Sequence, residues 1–233
     1  EIKREFIVDL INEAILTITS HDTELLSIIS RSLLVSGSAT IIAMIIAVFI
    51  SCLIVVNSFY FKKSIIILFN SLMSLPPVVV GLVLYILFSA TGIFSELGFL
   101  YTVYLMIIAQ IIIIIPIIVS LTVKSLESSF YKYKEYFLSL NLSKRNISLT
   151  IIYEQRFELI VILLVSLGRA LSEVGAVIIV GGNVANLTRV MTTSIVLETS
   201  RGELSMALSL GIVLLALALI INLIILIFKN KYL

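Results

Sequence analysis

Isoleucine, leucine and valine in this chain do not alternate with polar residues; they come in long blocks free of charge. No acidic or basic side chain lies between Arg31 and Lys62, Lys63 and Glu96, Glu96 and Lys124, or Glu203 and Lys229. Each run exceeds the roughly 20 apolar residues that carry a helix across a bilayer. A fifth block, Leu159 to Val180, is interrupted only by Arg169 and Glu173. The pattern predicts an all-α polytopic membrane protein with five transmembrane helices, over about 33–56, 64–88, 102–123, 159–180 and 205–228. Ahead of them, Ile2, Phe6, Ile7, Leu10, Ile11, Ala14, Ile15 and Ile18 share one helical face, while Lys3, Glu5, Asp9, Asn12 and Glu13 fall elsewhere. That spacing suits an amphipathic helix lying in the membrane interface. We divide the chain into this interfacial helix with its linker, 1–24, and a transmembrane domain, 25–233.

Composition sharpens the picture. Of 233 residues, 60% are hydrophobic and 13% charged, against roughly 25% charged in a water-soluble domain. The net charge of +2 excludes nothing by itself, because the partner of such a surface is membrane lipid, not nucleic acid. Cys52 is the single cysteine, so there is no disulfide framework or thiolate metal site. His21 sits in the polar stretch SHDTELL and reads as a solvated loop residue. Basic residues set the orientation. NSFYFKK holds two lysines, the connection 124–156 holds Lys124, Lys132, Lys134, Lys144, Arg145 and Arg156, and the chain ends in KNKYL. SATGIFSELGF has no basic residue. The first and third connections and the C-terminus are therefore expected on the cytoplasmic side of the cytoplasmic (inner) membrane, and the N-terminus outside. The sequence has no duplicated half, so a pathway would be built between copies of the chain.

The connection 124–156 is too patterned for a plain linker. Tyr136, Phe137, Leu140, Ile147, Leu149 and Ile151 place apolar knobs on short helical pieces ringed by lysine and arginine, suited to a groove on a soluble partner. From Glu135 it reads Glu-Tyr-Phe, three residues, Asn141, nine residues, Ile151, one residue, Tyr153-Glu154. This resembles the ATPase-coupling loop of ABC-importer permeases: Glu-Ala-Ala, three residues, Gly, nine residues, Ile, one residue, Leu-Pro. Glu135 and Ile151 match in identity and spacing; Asn141 replaces the glycine but tolerates a left-handed backbone. The alanine pair and the Leu-Pro are absent. SLPPVVVGL, LGFLYTVYLMIIAQIIIIIPIIVS and GRALSEVGAVIIVGGN, followed by LTRVMTT and LETSRGEL, resemble in order the permeases that import molybdate, sulfate and tungstate. The tungstate branch is most similar, from about residue 25 onward.

That resemblance implies a MetI-like permease fold and a homodimeric pore. It also implies cytoplasmic ABC ATPase subunits that carry ATP and Mg, and an extracytoplasmic tungstate-binding protein. No cofactor and no catalytic residue are expected in this chain. It contains no G-x-x-x-x-G-K-[ST] phosphate loop, so ATP is bound by another chain. Molybdate or sulfate import, and an ATP-independent anion channel or carrier, stand as alternatives.

Within that frame, Arg169 and Glu173 lie four residues apart on one helical face, continued by Gly168, Ser172 and Gly175. A lone charge at mid-membrane costs about 2.5–3.5 kcal/mol on insertion scales. Two readings stand: a self-neutralising pair that fixes helix packing, or an arginine lending positive potential to an oxyanion's path with Glu173 restraining it. Pro76 and Pro77, with Ser74 nearby, bend the second span; the bend serves either the pore or packing. Gln110 and Pro116 in the third span carry the same two readings. The outer segment after Gly181 and Gly182 offers Thr188, Arg189, Thr192 and Thr193 as oxyanion contacts, with Asn186 or Thr188 capping a helix that starts near Arg189. The alternative is an ordinary capped helix against a second subunit.

Overall fold

Apolar blocks without charge or helix breakers have one solution in lipid, because every backbone N–H and C=O must be satisfied within the segment. The computed structural model, which describes residues 2–20 and 23–232, accordingly shows helices and no strand among those residues. His21 lies outside them. Among the described residues, three helices are long and apolar enough to cross a membrane unaided: α2 (Thr23–Val56), α5 (Val103–Lys132) and α11 (Leu204–Tyr232). Two more segments are pairs bent at a short break. They are α3 (Lys62–Leu72) with α4 (Pro77–Phe88), bent by 95°, and α8 (Arg156–Leu171) with α9 (Gly175–Gly181), bent by 60°. Counting each bent pair as one span gives five.

The boundaries correct the sequence reading in three places. The helix expected over 33–56 begins at Thr23, because nothing between Glu24 and Arg31 breaks it. Its 34 residues extend about 51 Å at the helical rise, well beyond a ~30 Å hydrocarbon core. The connection expected over 124–156 begins inside α5, which runs on to Lys132. The third correction concerns continuity: neither 64–88 nor 159–180 is one helix. Pro76 and Pro77 account for the first break, with Pro77 opening α4 where its missing N–H costs nothing. The second break holds no proline.

α5 is the central post. Thr102 caps its start by accepting the Leu105 N–H, and Pro116 lies within it without ending it. Around it pack α2, α8 and α9. One buried cluster, including Ala47, Ile114, Ile118 and Leu126, joins α5 to α2 and the 134–154 segment. Another, including Leu105, Ala109, Ala176 and Val180, joins α5 to α4 and α9. α11 is peripheral: Leu215, Leu219, Leu223 and Ile227 are exposed, as suits a lipid-facing helix. α1 (Ile2–Thr19) lies against α11, with Ala14 buried and its carbonyl accepting from the Ser209 hydroxyl at 3.2 Å.

The distal halves of the two bent segments touch. A methyl group added at Gly81 of α4 would sit 2.8 Å from the Ala176 Cα of α9, and one at Gly175 would sit 2.7 Å from Val78 Cγ2. Only glycine permits so close a crossing at these points. The two breaks are thereby brought side by side.

Candidate functional site

Two regions carry the residues singled out from sequence. The first is the segment 133–156. It folds as α6 (Lys134–Ser139) and α7 (Lys144–Glu154), joined by a tight turn at Asn141. Asn141 has φ of 47°, the left-handed conformation in which asparagine substitutes for glycine. The apolar side chains divide by direction. Phe137 and Ile151 are buried in the cluster beneath α5. Tyr136, Leu140 and Tyr153, with Leu138 and Leu149, are exposed. Glu135 is exposed too, and Glu154 accepts from the Tyr133 hydroxyl at 2.8 Å. Gln155 ties the end of α7 to α5, its carbonyl oxygen accepting from Ser125 at 2.9 Å and its amide donating to Ser129. Arg156 stacks between Tyr153 and Phe157, at 4.2 and 4.5 Å from the ring centroids. The segment is thus a handle: inner face locked to the bundle, outer face presenting uncovered tyrosine and leucine.

The second region surrounds the paired breaks. The Arg169 Nη1 to Glu173 Oε2 distance is 3.1 Å, with the arginine side chain 40% exposed and the glutamate 5%. The pair does not ride one continuous helix, however. α8 stops at Leu171, and Glu173 Oε1 instead accepts the Ala176 N–H at 3.3 Å, in the first turn of α9. The Glu173 carbonyl accepts the Thr192 hydroxyl at 2.9 Å. Glu173 therefore fastens three things at once: a guanidinium, the start of α9, and the helix α10 (Met191–Arg201). Gln110 is brought to the same place. Its amide donates to Ser36 Oγ at 3.2 Å and to the Ala170 carbonyl at 3.1 Å, and it lines a small cavity with Ser32, Glu173 and Thr192. Ser172, Ser74 and Pro76 are exposed at the breaks, and Pro77 is half-buried.

The segment 183–190 differs from expectation. Neither Asn186 nor Thr188 caps α10. Val190 holds the cap position, and the Thr193 hydroxyl, three residues on, accepts the Val190 N–H at 3.2 Å. Thr188 accepts the Val184 N–H at 2.9 Å and donates to the Gly181 carbonyl, closing the turn internally. Arg189 is buried against Glu24 at 3.1 Å. Thr188, Thr192, Thr193 and Arg189 thus spend hydrogen-bonding capacity inside the chain in this conformation. Sequence reasoning missed Arg31, which donates to the carbonyls of Arg189 and Asn186, both at 3.0 Å. An arginine one turn short of an apolar run was the available signal.

No protein-family profile matches the chain. It is 34% identical over 218 residues to the tungstate uptake system permease protein TupB of Campylobacter jejuni, covering 94% of this chain and 91% of the relative. It is 36% identical over 218 residues to the protein of the same name from Peptoclostridium acidaminophilum, covering 94% and 96%. A protein of Haloferax volcanii named "Probable anion ABC transporter permease protein" is 33% identical over 205 residues, covering 86% and 88%.

Proposed function

This chain belongs to the family of ABC-transporter permeases that includes the tungstate uptake permeases, and we propose that it is the membrane subunit of a tungstate importer. ATP is hydrolysed on separate cytoplasmic ABC subunits, and an extracytoplasmic binding protein delivers the ion. The observation that carries this reading is the handle. Its Phe137 and Ile151 are rooted in the core while Tyr136, Leu140 and Tyr153 are left bare outside the spans. Bare aromatic and aliphatic side chains on a short, well-anchored helix suit a groove on a soluble motor.

Force applied to α7 reaches the bend through rigid connections. Gln155 and Arg156 pass it to α5 and α8, and Glu173 joins the end of α8 to α9 and α10. Such a hinge between half-helices is where a permease alternates between outward-open and inward-open states. On this reading the ion passes beside the paired breaks. α4 starts at Pro77 beside the start of α9, so the N-terminus of a 12-residue half-helix faces the break. Half-helix N-termini carry positive potential toward anionic substrates. Arg169 adds a guanidinium with two-fifths of its surface uncovered. Lipid is a poor neighbour for that exposed polar edge, so a second copy of the chain faces it across a water-filled path. Glu173 moderates the arginine, which keeps a dianion from lodging there.

The test is reconstitution with the partner ATPase and receptor, reading ATP hydrolysis with receptor loaded with tungstate, molybdate or sulfate. Stimulation by the tungstate-loaded receptor above the others is expected. Equal or greater stimulation by molybdate or sulfate overturns the assignment of substrate, and no ATPase association overturns the assignment of class.

A further inference from the structure

An open groove that the transport reading leaves unused lies between the last turns of α2 and the first turns of α7, with a volume near 560 Å³. Ile45, Val48, Phe49 and Leu53 of α2 form one wall, and Leu149 and Ile152 of α7 form the other. Phe49 is 67% exposed and Ile45 68%, so the trough is open along its length. Its mouth is of different chemistry. Lys144 and Arg145 stand there, both exposed, with Asn57 and Ser148 beside them and no acidic residue among the lining residues. Lys144 Nζ donates to Asn57 Oδ1 at 2.8 Å, which closes the end of the trough beneath the two cations. Lys144 is also the first residue of an 11-residue helix whose N-cap is Ser143, so the helix dipole points the same way as the charges.

We propose that this groove is a binding site for an anionic glycerophospholipid, its acyl chain along α2 and its phosphate at Lys144 and Arg145. The groove and such a lipid are complementary in two parts. An apolar trough that continues a spanning helix takes hydrocarbon. A doubly basic, acid-free mouth at the end of that helix takes a phosphate, as basic pockets between helices at the cytoplasmic membrane face do. A zwitterionic lipid brings the same phosphate together with a cation of its own, for which the mouth offers no carboxylate. The placement of the mouth at the cytoplasmic face rests on the orientation used for the proposed function, but lipid occupancy is measured independently of transport. Because α7 belongs to the handle, the bound lipid acts as a wedge that fixes its height against α2.

The test uses the assembled transporter in nanodiscs of phosphatidylcholine containing a minor fraction of phosphatidylglycerol with a photoactivatable acyl chain. Cross-links are mapped by mass spectrometry. Labelling concentrated on residues 45–53 and 149–152 is expected. It should fall about fivefold for each charge removed by Lys144→Gln and Arg145→Gln, with Lys229→Gln at the far inner end without effect. Both target side chains are exposed, so folding is spared; the elution profile of the assembly verifies that. Labelling spread evenly over the exposed face of α11, or unchanged in the double variant, overturns the proposal. So does a disulfide between two copies carrying Phe49→Cys, which assigns the groove to a second copy.

Discussion

Removing the Glu173 carboxylate should destabilise this protein far more than removing most single side chains, and removing Arg169 with it should repair most of the damage. Two interactions are lost in Glu173→Ala. One is the 3.1 Å ion pair to Arg169, and the other is the 3.3 Å bond from the Ala176 N–H. An uncompensated arginine near the middle of a span costs about 2.5–3.5 kcal/mol. The guanidinium is 40% exposed, which discounts the cost below that range, to about 2 kcal/mol. An unmet buried N–H adds about 1 kcal/mol. The expected loss is about 3 kcal/mol. Glu173→Gln retains an acceptor for the N–H and should lose about 2 kcal/mol. In Arg169→Leu/Glu173→Gln the charge problem vanishes, and the double variant should lie within about 1 kcal/mol of the parent, above Glu173→Gln alone. Equilibrium unfolding of the assembled transporter in a fixed lipid mixture reads these values, with uptake measured on the same preparations. Additive losses in the double variant would refute the claim that the carboxylate is held there for the guanidinium. Recovered stability without recovered uptake identifies Arg169 as part of the ion path; recovery of both makes the pair purely structural.

Other positions give sharper single readings. Gly81→Ala places a carbon 2.8 Å from the Ala176 backbone and should cost about 1–3 kcal/mol by forcing α4 and α9 apart; a neutral result would deny their close crossing. Asn141→Val should cost about 1–2 kcal/mol at its left-handed backbone, whereas Asn141→Gly should be neutral, as read by thermal unfolding. Tyr136→Ser with Leu140→Ser should leave stability within about 0.5 kcal/mol, since both are exposed. The same change should uncouple ATP hydrolysis from receptor binding, and unchanged coupling would detach the handle from the motor.

The long apolar helices were legible because their signal is local: long charge-free runs in lipid leave only helices. The first break was half legible, since the adjacent prolines in SLPP announce an interruption but not its 95° angle. The second was not. GRALSEVGA contains nothing that stops a helix outright. The interruption comes from Glu173, whose side chain turns back to Ala176 and whose carbonyl is taken by Thr192, 19 residues on. No periodicity in sequence encodes such a contact. The left-handed turn at Asn141 was readable from residue type, because few other side chains tolerate that backbone. The division of the handle was not: Tyr136 and Phe137 are neighbours of similar character, and only packing decides that one is bare and the other buried. Hydroxyls near a helix start suit anions and equally suit a capped helix, so Thr188 and Thr193 carry both readings in the sequence. In the fold they are spent on the loop's own backbone.

The account stands on this chain being driven from outside itself, through the 134–154 handle. Proteoliposomes holding the permease, its ATPase and the loaded receptor should move tungstate against its gradient only when ATP is supplied on the handle side. Uphill movement by the permease alone, with no nucleotide present, would contradict it.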